Sequence, residues 1–263
     1  MTIYQVDSFT NVRFKGNPAG VVILEKKLPV ESMQNIALEM NVSETAFARL
    51  VKDRYFIRFF TPSNEVPICG HATLAAAHIL YEVGLVENSK SISFYTKDDN
   101  FEIFKSDDGI TFSLPVWPIE RKEAPSFFQD IVNFPIVEYF EYQSLRHTIA
   151  ILSNEEQVQS SVINLQAMKD HGVVDLSISS NSNHPGIDYV LRSFCPLIGI
   201  DEDPATGSSQ CGLGPYWSKK LNKSTMKVKQ LSKRSGEMIV RANQENVKIS
   251  GKAITVLVME LEL

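Results

Sequence analysis

Three acidic or basic residues of this chain sit in short, distinctive contexts that could do chemistry. They are Glu44 in Ser43-Glu44-Thr45, His71 in Cys69-Gly70-His71-Ala72, and Asp203 in Asp201-Glu202-Asp203-Pro204. Followed by Ala46 and Phe47, the Glu44 carboxyl can lie in surroundings apolar enough to raise its pKa by desolvation, which suits a group that takes up a proton and returns it. A glutamate between Ser and Thr near a turn also fits a helix cap or the surface. His71 opens a long apolar segment, where the positive end of a helix favours neutral imidazole. His78 follows seven residues later, about 10 Å along a helix, so the two imidazoles cannot share an ion without a third element. His78 reads as a packed core histidine. Asp203 precedes another helix start, which would keep it ionised and able to bind an amine or hydroxyl. Its acidic trio reads equally as a solvated loop.

Other chemistry is disfavoured. Cys69, Cys195 and Cys211 are odd in number and match no zinc template, so neither a disulfide nor a structural metal is expected. The phosphate-binding patterns GxGxxG and GxxxxGK[ST] are absent, so no nucleotide cofactor is expected.

These residues need elements to hold them. Ile3 to Asp7 and Ala19 to Leu24 read as strands around the turn signal Lys15-Gly16-Asn17-Pro18. Pro29 begins a helix whose stripe is Val30, Met33, Ile36, Ala37 and Met40, ending near Asn41. Tyr55 to Thr61 is extended, and Phe101 to Leu114 forms a hairpin turning at Asp108-Gly109. His71 to Tyr81 is apolar nearly all round, which implies a helix enclosed on every side. Further strands are expected at Ile136 to Tyr142, His147 to Leu152 and Asp188 to Phe194, with a helix from Ser208 to Lys220. Hairpins over Met226 to Ala242 and Val247 to Glu262 close the chain. Trp117 to Phe128 lacks periodicity and reads as an interdomain linker, so the expected domains are 1–116 and 117–263.

The chain repeats itself. RFFTP at Arg58 to Pro62 has a counterpart, RSFCP, at Arg192 to Pro196, and PICGHA from Pro67 aligns with PATGSS from Pro204 after three extra residues. Gly70 pairs with Gly207 and His71 with Ser208, each where a loop is expected to become a helix with unpaired N–H groups that attract anions. If the halves face each other, both helix starts converge on one cleft for a carboxylate. Alternatively, both glycines only permit tight turns. No two of the three cysteines occupy equivalent positions, which argues against a two-thiol racemase.

The 263 residues, 43% of them hydrophobic, can bury the core of one large domain or two ordinary ones. A net charge of -5 makes nucleic acid a poor partner. Residues 1–20 carry Asp7, Arg13 and Lys15 and do not read as a secretory signal. The longest uncharged run, Val66 to Tyr81, is 16 residues, short of a membrane span. A cytoplasmic location is expected.

Four blocks carry a family resemblance: DSFTNVRFKGNPAG at Asp7 to Gly20, NVSETAF at Asn41 to Phe47, FFTPSNEVPICGHATLAAA at Phe59 to Ala77, and DEDPATGSS at Asp201 to Ser209. Together they resemble the PhzF-like isomerases of phenazine biosynthesis, with CGHATLA and EDPATGS the most specific pair. The resemblance implies an α+β, diaminopimelate epimerase-like fold: two similar domains, each a β-barrel around a central helix, with the active site between them. It further implies a homodimer, no cofactor and a small carboxylate-bearing substrate. By motif position, Glu44, His71 and Asp203 would be catalytic, with Gly70, Ala72, Gly207 and Ser208 lining the substrate pocket. Gly20 stands where the family often has alanine, and Gln210 where it often has histidine, which removes support for a proton relay through position 210. A cysteine-based racemase or epimerase and a non-catalytic ligand-binding protein of the same fold are the alternatives.

Overall fold

Alternation at the start of the chain produces two antiparallel strands, β1 (Thr2–Ser8) and β2 (Asn17–Leu24), in register from Ile3 opposite Val22 to Ser8 opposite Asn17. The turn between them requires glycine. Gly16 has φ +64°, and a Cβ there would lie 2.1 Å from the Ser8 carbonyl oxygen. Helix α1 (Val30–Met40) follows Pro29 and stops at Asn41, whose backbone is left-handed. It buries Met33, Ile36 and Ala37 with Ile3, Val22, Phe47 and Phe60. The computed structural model describes residues 1–262, Leu145 without its side chain.

The chain divides into two units, Met1–Ser113 together with the segment from Lys248 on, and Leu114–Val247. The first contains β1, β2, α1, β3 (Glu44–Val51), β4 (Arg54–Phe60), β5 (Glu65–Val66), α2 (Gly70–Glu82), β6 (Ile92–Tyr95) and β7 (Asn100–Ser106). Strand β8 (Gly109–Pro115) leads the chain out of it. Helix α2 is buried on every face, from His71 and Ala72 through Leu74, Ala75, Ala76 and Ala77 to Ile79, Leu80 and Tyr81. It packs on β1, β2 and β3. Each of its large aliphatic side chains contributes roughly 1.5–3 kcal/mol by burial.

The second unit contains β9 (Glu120–Lys122), α3 (Phe128–Ile131), β10 (Glu138–Tyr142), β11 (His147–Ile151), α4 (Glu155–Ser160), α5 (Leu165–Asp170), β12 (Leu176–Asn181) and β13 (Tyr189–Cys195). It continues with β14 (Ile200–Asp203), α6 (Gln210–Leu221), β15 (Thr225–Gln230) and β16 (Gly236–Ala242). Strands β17 (Asn246–Gly251) and β18 (Ala253–Glu260) complete the chain. Pro215 lies inside α6 and has no N–H for the Cys211 carbonyl, which instead accepts from Trp117 N at 3.0 Å.

The repeat read from the sequence is a repeat of topology. Running through β1-β2-β3-β4-β6-β7, the pairings are antiparallel, parallel, antiparallel, parallel, antiparallel. The order through β10-β11-β12-β13-β15-β16 is identical. In each unit a short strand, β5 or β14, returns against the fourth. It is held there by a forked arginine–glutamate pair: Arg58 to Glu65 at 2.7 and 2.7 Å, and Arg192 to Glu202 at 2.7 and 3.0 Å. The three extra residues of the second copy fall between its arginine and its glutamate. Each guanidinium also lies over the phenylalanine two residues on, Phe60 at 5.2 Å and Phe194 at 5.0 Å.

Three expectations are corrected. The 1–116 and 117–263 division misplaces the end of the chain, because β18 pairs with β1 from Thr2 opposite Glu260 to Ser8 opposite Ala253. Trp117 to Phe128 is not bare linker, since it contains β9, which pairs with β10. Helix α6 begins at Gln210 rather than Ser208, after tight turns in which Gln210 N donates to the Gly207 carbonyl and Cys211 N to that of Ser208. Among the described residues, no helix is long and apolar enough to cross a membrane.

Candidate functional site

Glu44 is the first residue of β3, aligned with Ala19 of the parallel neighbour β2. Next to it, Thr45 lies opposite Gly20, and the approach is close. A Cβ on Gly20 would lie 2.6 Å from Thr45 Oγ1 and 2.9 Å from its Cγ2. The missing methyl at Gly20 therefore makes room for the threonine beside the candidate acid/base.

His71 is the second residue of α2, anchored where Ser8 Oγ donates to its carbonyl at 2.8 Å and Thr73 Oγ1 donates to the Cys69 carbonyl at 2.7 Å. The first bond inside the helix is Thr73 N to Cys69 O. The N–H groups of Gly70, His71 and Ala72 thus have no acceptor within α2, which makes this terminus attractive to an anion. Ala72 is fully buried and Gly70 partly so.

Glu44 and His71 meet. Glu44 Oε2 lies 3.3 Å from His71 Nε2, with both residues 8% exposed. Burial pushes the imidazole pKa down to about 4, against a raising contribution from a hydrogen bond with the Pro18 backbone. His71 is neutral at physiological pH, as the sequence suggests, with desolvation as the main cause. It can donate through one nitrogen and accept at the other. Cys69, the residue before α2, brings Sγ to 3.4 Å from His71 Nδ1 and 3.9 Å from Nε2. One ligand atom each from Glu44, Cys69 and His71 all lie within 4.8 Å of one another. Sequence spacing missed this thiol, because its partner carboxylate comes from a different strand.

The second unit holds the other candidates. Asp203 ends β14, and its carboxylate accepts from Thr206 Oγ1. Gln230 braces this loop, donating to the Asp203 carbonyl at 2.6 Å and accepting from Thr206 N at 2.7 Å. Gly207 is buried and Ser208 exposed. Gln210 is fully buried, with its side chain taken up by the Tyr189 hydroxyl and the Thr206 carbonyl. His78 is part-buried rather than enclosed, its Nε2 lying 3.2 Å from Thr255 Oγ1.

The repeated register exposes a carboxylate that sequence matching did not find. Thr45 lies opposite Phe60 as Leu176 lies opposite Phe194, which makes Asp175 the counterpart of Glu44. Asp175 Oδ2 is 3.2 Å from His147 Nδ1, and Ser193 Oγ is 3.5 Å from its Oδ1. Each unit therefore sets a buried carboxylate against an imidazole at the head of its third strand.

The remaining thiols are poor nucleophiles. Burial raises the Cys195 thiol far above its usual range, and the charges of Asp175 and Asp203 add to the shift. The Cys211 thiol is pushed up to about 12 by burial. All three cysteines are free and buried.

Comparison with known proteins matches the chain to a family. A family profile described as phenazine biosynthesis-like protein, PhzC-PhzF, matches residues 6–259. An uncharacterized isomerase of Halalkalibacterium halodurans is 38% identical over 262 residues, covering 99% of this chain and 98% of its own. The crystal structure of a PhzF-family phenazine biosynthesis protein from Enterococcus faecalis superposes with a TM-score of 0.94 at 33% identity, covering 100% of this chain and 99% of the other. A probable proline racemase from Agrobacterium radiobacter shares the fold at a TM-score of 0.64 and 10% identity, covering 100% of this chain and 93% of the other.

Proposed function

Because this chain belongs to the phenazine biosynthesis-like PhzC-PhzF family, whose relatives include named isomerases, we propose that it isomerises a small carboxylate-bearing substrate by moving one proton, with Glu44 as the acid/base. The observation that carries this reading is the buried contact of Glu44 Oε2 with His71 Nε2, 3.3 Å apart at the start of α2. A substrate carboxylate docks on the N–H groups of Gly70, His71 and Ala72. Glu44 removes a proton from carbon and returns it to another carbon, shifting a double bond. Neutral His71 packs against the Glu44 carboxyl, Nε2 to Oε2 3.3 Å, without neutralising it by charge.

One positioned acid/base supplies typically 10²- to 10⁴-fold. The helix N–H groups, aimed where enolate-like charge develops, stabilise the transition state further. Asp203 enters through the family block EDPATGS as the group that binds an amine or hydroxyl, and Ser208 and Gly207 as substrate contacts. Homodimer formation and independence from cofactors belong to the same proposal; sedimentation and the absorbance of purified protein test them. The two-thiol racemase has little support, since burial holds Cys195 and Cys211 protonated.

Deuterium exchange tests the reading before a product is known. Small amino and hydroxy carboxylic acids are incubated with enzyme in deuterated water and followed by NMR. Wild type is expected to exchange one carbon-bound proton of a bound acid, and Glu44→Gln, which keeps size but cannot take the proton, to exchange it roughly 10²-fold or more slowly with little change in affinity. Exchange that survives Glu44→Gln and disappears in Cys69→Ala would transfer the role to the thiol.

A further inference from the structure

We propose that Glu44, Cys69 and His71 form a binding site for one zinc-like divalent cation, and that an ion held there shuts off proton transfer at Glu44. The donor set is a carboxylate oxygen, a thiolate sulfur and an imidazole nitrogen, with a fourth position left open, the composition of zinc sites that keep a water or exogenous ligand. These residues reach one point from two elements, the head of β3 and the N-terminal end of α2. No sequence-local template announces such a site.

Distances support it. Zinc bonds of 2.0–2.2 Å to nitrogen or oxygen and about 2.3 Å to sulfur give tetrahedral edges of about 3.4 Å between nitrogen and oxygen and about 3.6 Å between nitrogen and sulfur. Here Nε2 to Oε2 is 3.3 Å and Nε2 to Sγ is 3.9 Å, and one donor atom from each of the three residues lies within 4.8 Å of the others. Sulfur now lies nearer Nδ1, at 3.4 Å.

Charge supports it too. One carboxylate and one thiolate offset the two positive charges of the ion, and ligating imidazole adds none. The ion with its three ligands is therefore neutral, which an interior where all three residues are 8% exposed can hold at little electrostatic cost. Softness selects the ion: thiolate and imidazole favour zinc or cobalt over magnesium and calcium. Binding releases the thiol proton and occupies the carboxylate oxygen nearest His71.

The binding half of the inference stands without an assigned reaction, while the inhibitory half rests on Glu44 moving the proton. Purified full-length chain, freed of metal by chelator and dialysis, is titrated with Co²⁺. One equivalent is expected to give the intense visible bands of four-coordinate cobalt and a thiolate-to-cobalt charge-transfer band, both erased by stoichiometric Zn²⁺. Cys69→Ser should lose the charge-transfer band and weaken binding by more than the roughly 10- to 100-fold that loss of a supporting partner costs a metal site. His71→Gln is the second variant, and near-UV circular dichroism verifies that both are folded.

No cobalt bound, a charge-transfer band that survives Cys69→Ser, or one that vanishes instead in Cys211→Ala would each overturn the site. In the exchange assay, equimolar Zn²⁺ should stop wild-type turnover reversibly, and whatever exchange remains in Cys69→Ser should be insensitive to it. Cobalt bound through Cys69 with exchange undiminished would keep the site and overturn the assignment of Glu44.

Discussion

His71 is neutral because the start of α2 strips its imidazole of water, and that has a consequence for stability. Its folded pKa of about 4 lies below the ordinary value of 6.5, so the unfolded chain takes up the proton first as pH falls. Stability conferred by the neutral ring is complete above about pH 6.5, is lost progressively between 6.5 and 4, and loses nothing more from this group below that. The loss should be on the order of 1–3 kcal/mol, since the hydrogen bond with the Pro18 backbone offsets part of the desolvation cost. Urea unfolding at a series of pH values, compared with His71→Gln, checks this: the variant should show a flatter profile in that window. An unchanged profile would mean that the imidazole is hydrated or already charged. Glu44 and His71 were legible in the sequence because each sits inside a contiguous block. Asp175 and His147 were not, since 28 residues separate them and, with Asp175 aligned to Glu44, VVDLS at 173–177 shares only its first valine with VSETA at 42–46. Only strand pairing reveals that the two carboxylates are equivalent.

Strand β3 illustrates how an element can hide its own evidence. Glu44–Val51 shows no clean alternation, because five consecutive residues, Glu44 to Ala48, are buried, so period two is erased where both faces are covered. Helix α2 was readable for the opposite reason, as a long apolar run can be only an enclosed helix once its length exceeds that of a strand. The start of α6 was misread by two residues because Gly207 to Ser209 forms tight turns, and sequence marks helix starts less sharply than helix interiors. Position 20 gives this scale its prediction. Alanine there should clash with Thr45 and cost roughly 1–3 kcal/mol as an overpacked site. Because Thr45 adjoins Glu44, Gly20→Ala should also slow exchange. Thr45→Ala removes the Oγ1 and Cγ2 atoms nearest the new methyl, and Thr45 Oγ1 has no hydrogen-bond partner among the described residues. The double variant should therefore recover most of the stability. Thermal melts of the two single variants and the double settle it, and additive losses would exclude a steric coupling between the positions.

At the scale of the whole molecule, the repeat explains why the chain has two units and why the boundary was only partly readable. Each copy supplies the same six-strand order and one buried helix, so composition barely changes where one ends and the next begins. What the sequence cannot announce is the return of the last strands to the first unit, because the run Ala253 to Met259 of β18, apolar but for Thr255, reads equally well as a strand of the second unit. Its partner is β1, along seven residue pairs from Thr2 to Ser8, and among the described residues β1 pairs with no other strand on the side away from β2. Deletion of residues 253–263 should therefore open β1, uncover the face of α2 that β1 and β18 cover, and unfold the first unit. The second unit, Leu114–Val247, keeps all of its own strand pairs in such a chain. Hydrogen exchange read by mass spectrometry is expected to lose protection throughout residues 1–113 while β11, β12 and β13 stay protected. The opposite pattern, with protection lost after residue 117 and kept before it, would restore the simple division of the chain into two consecutive halves.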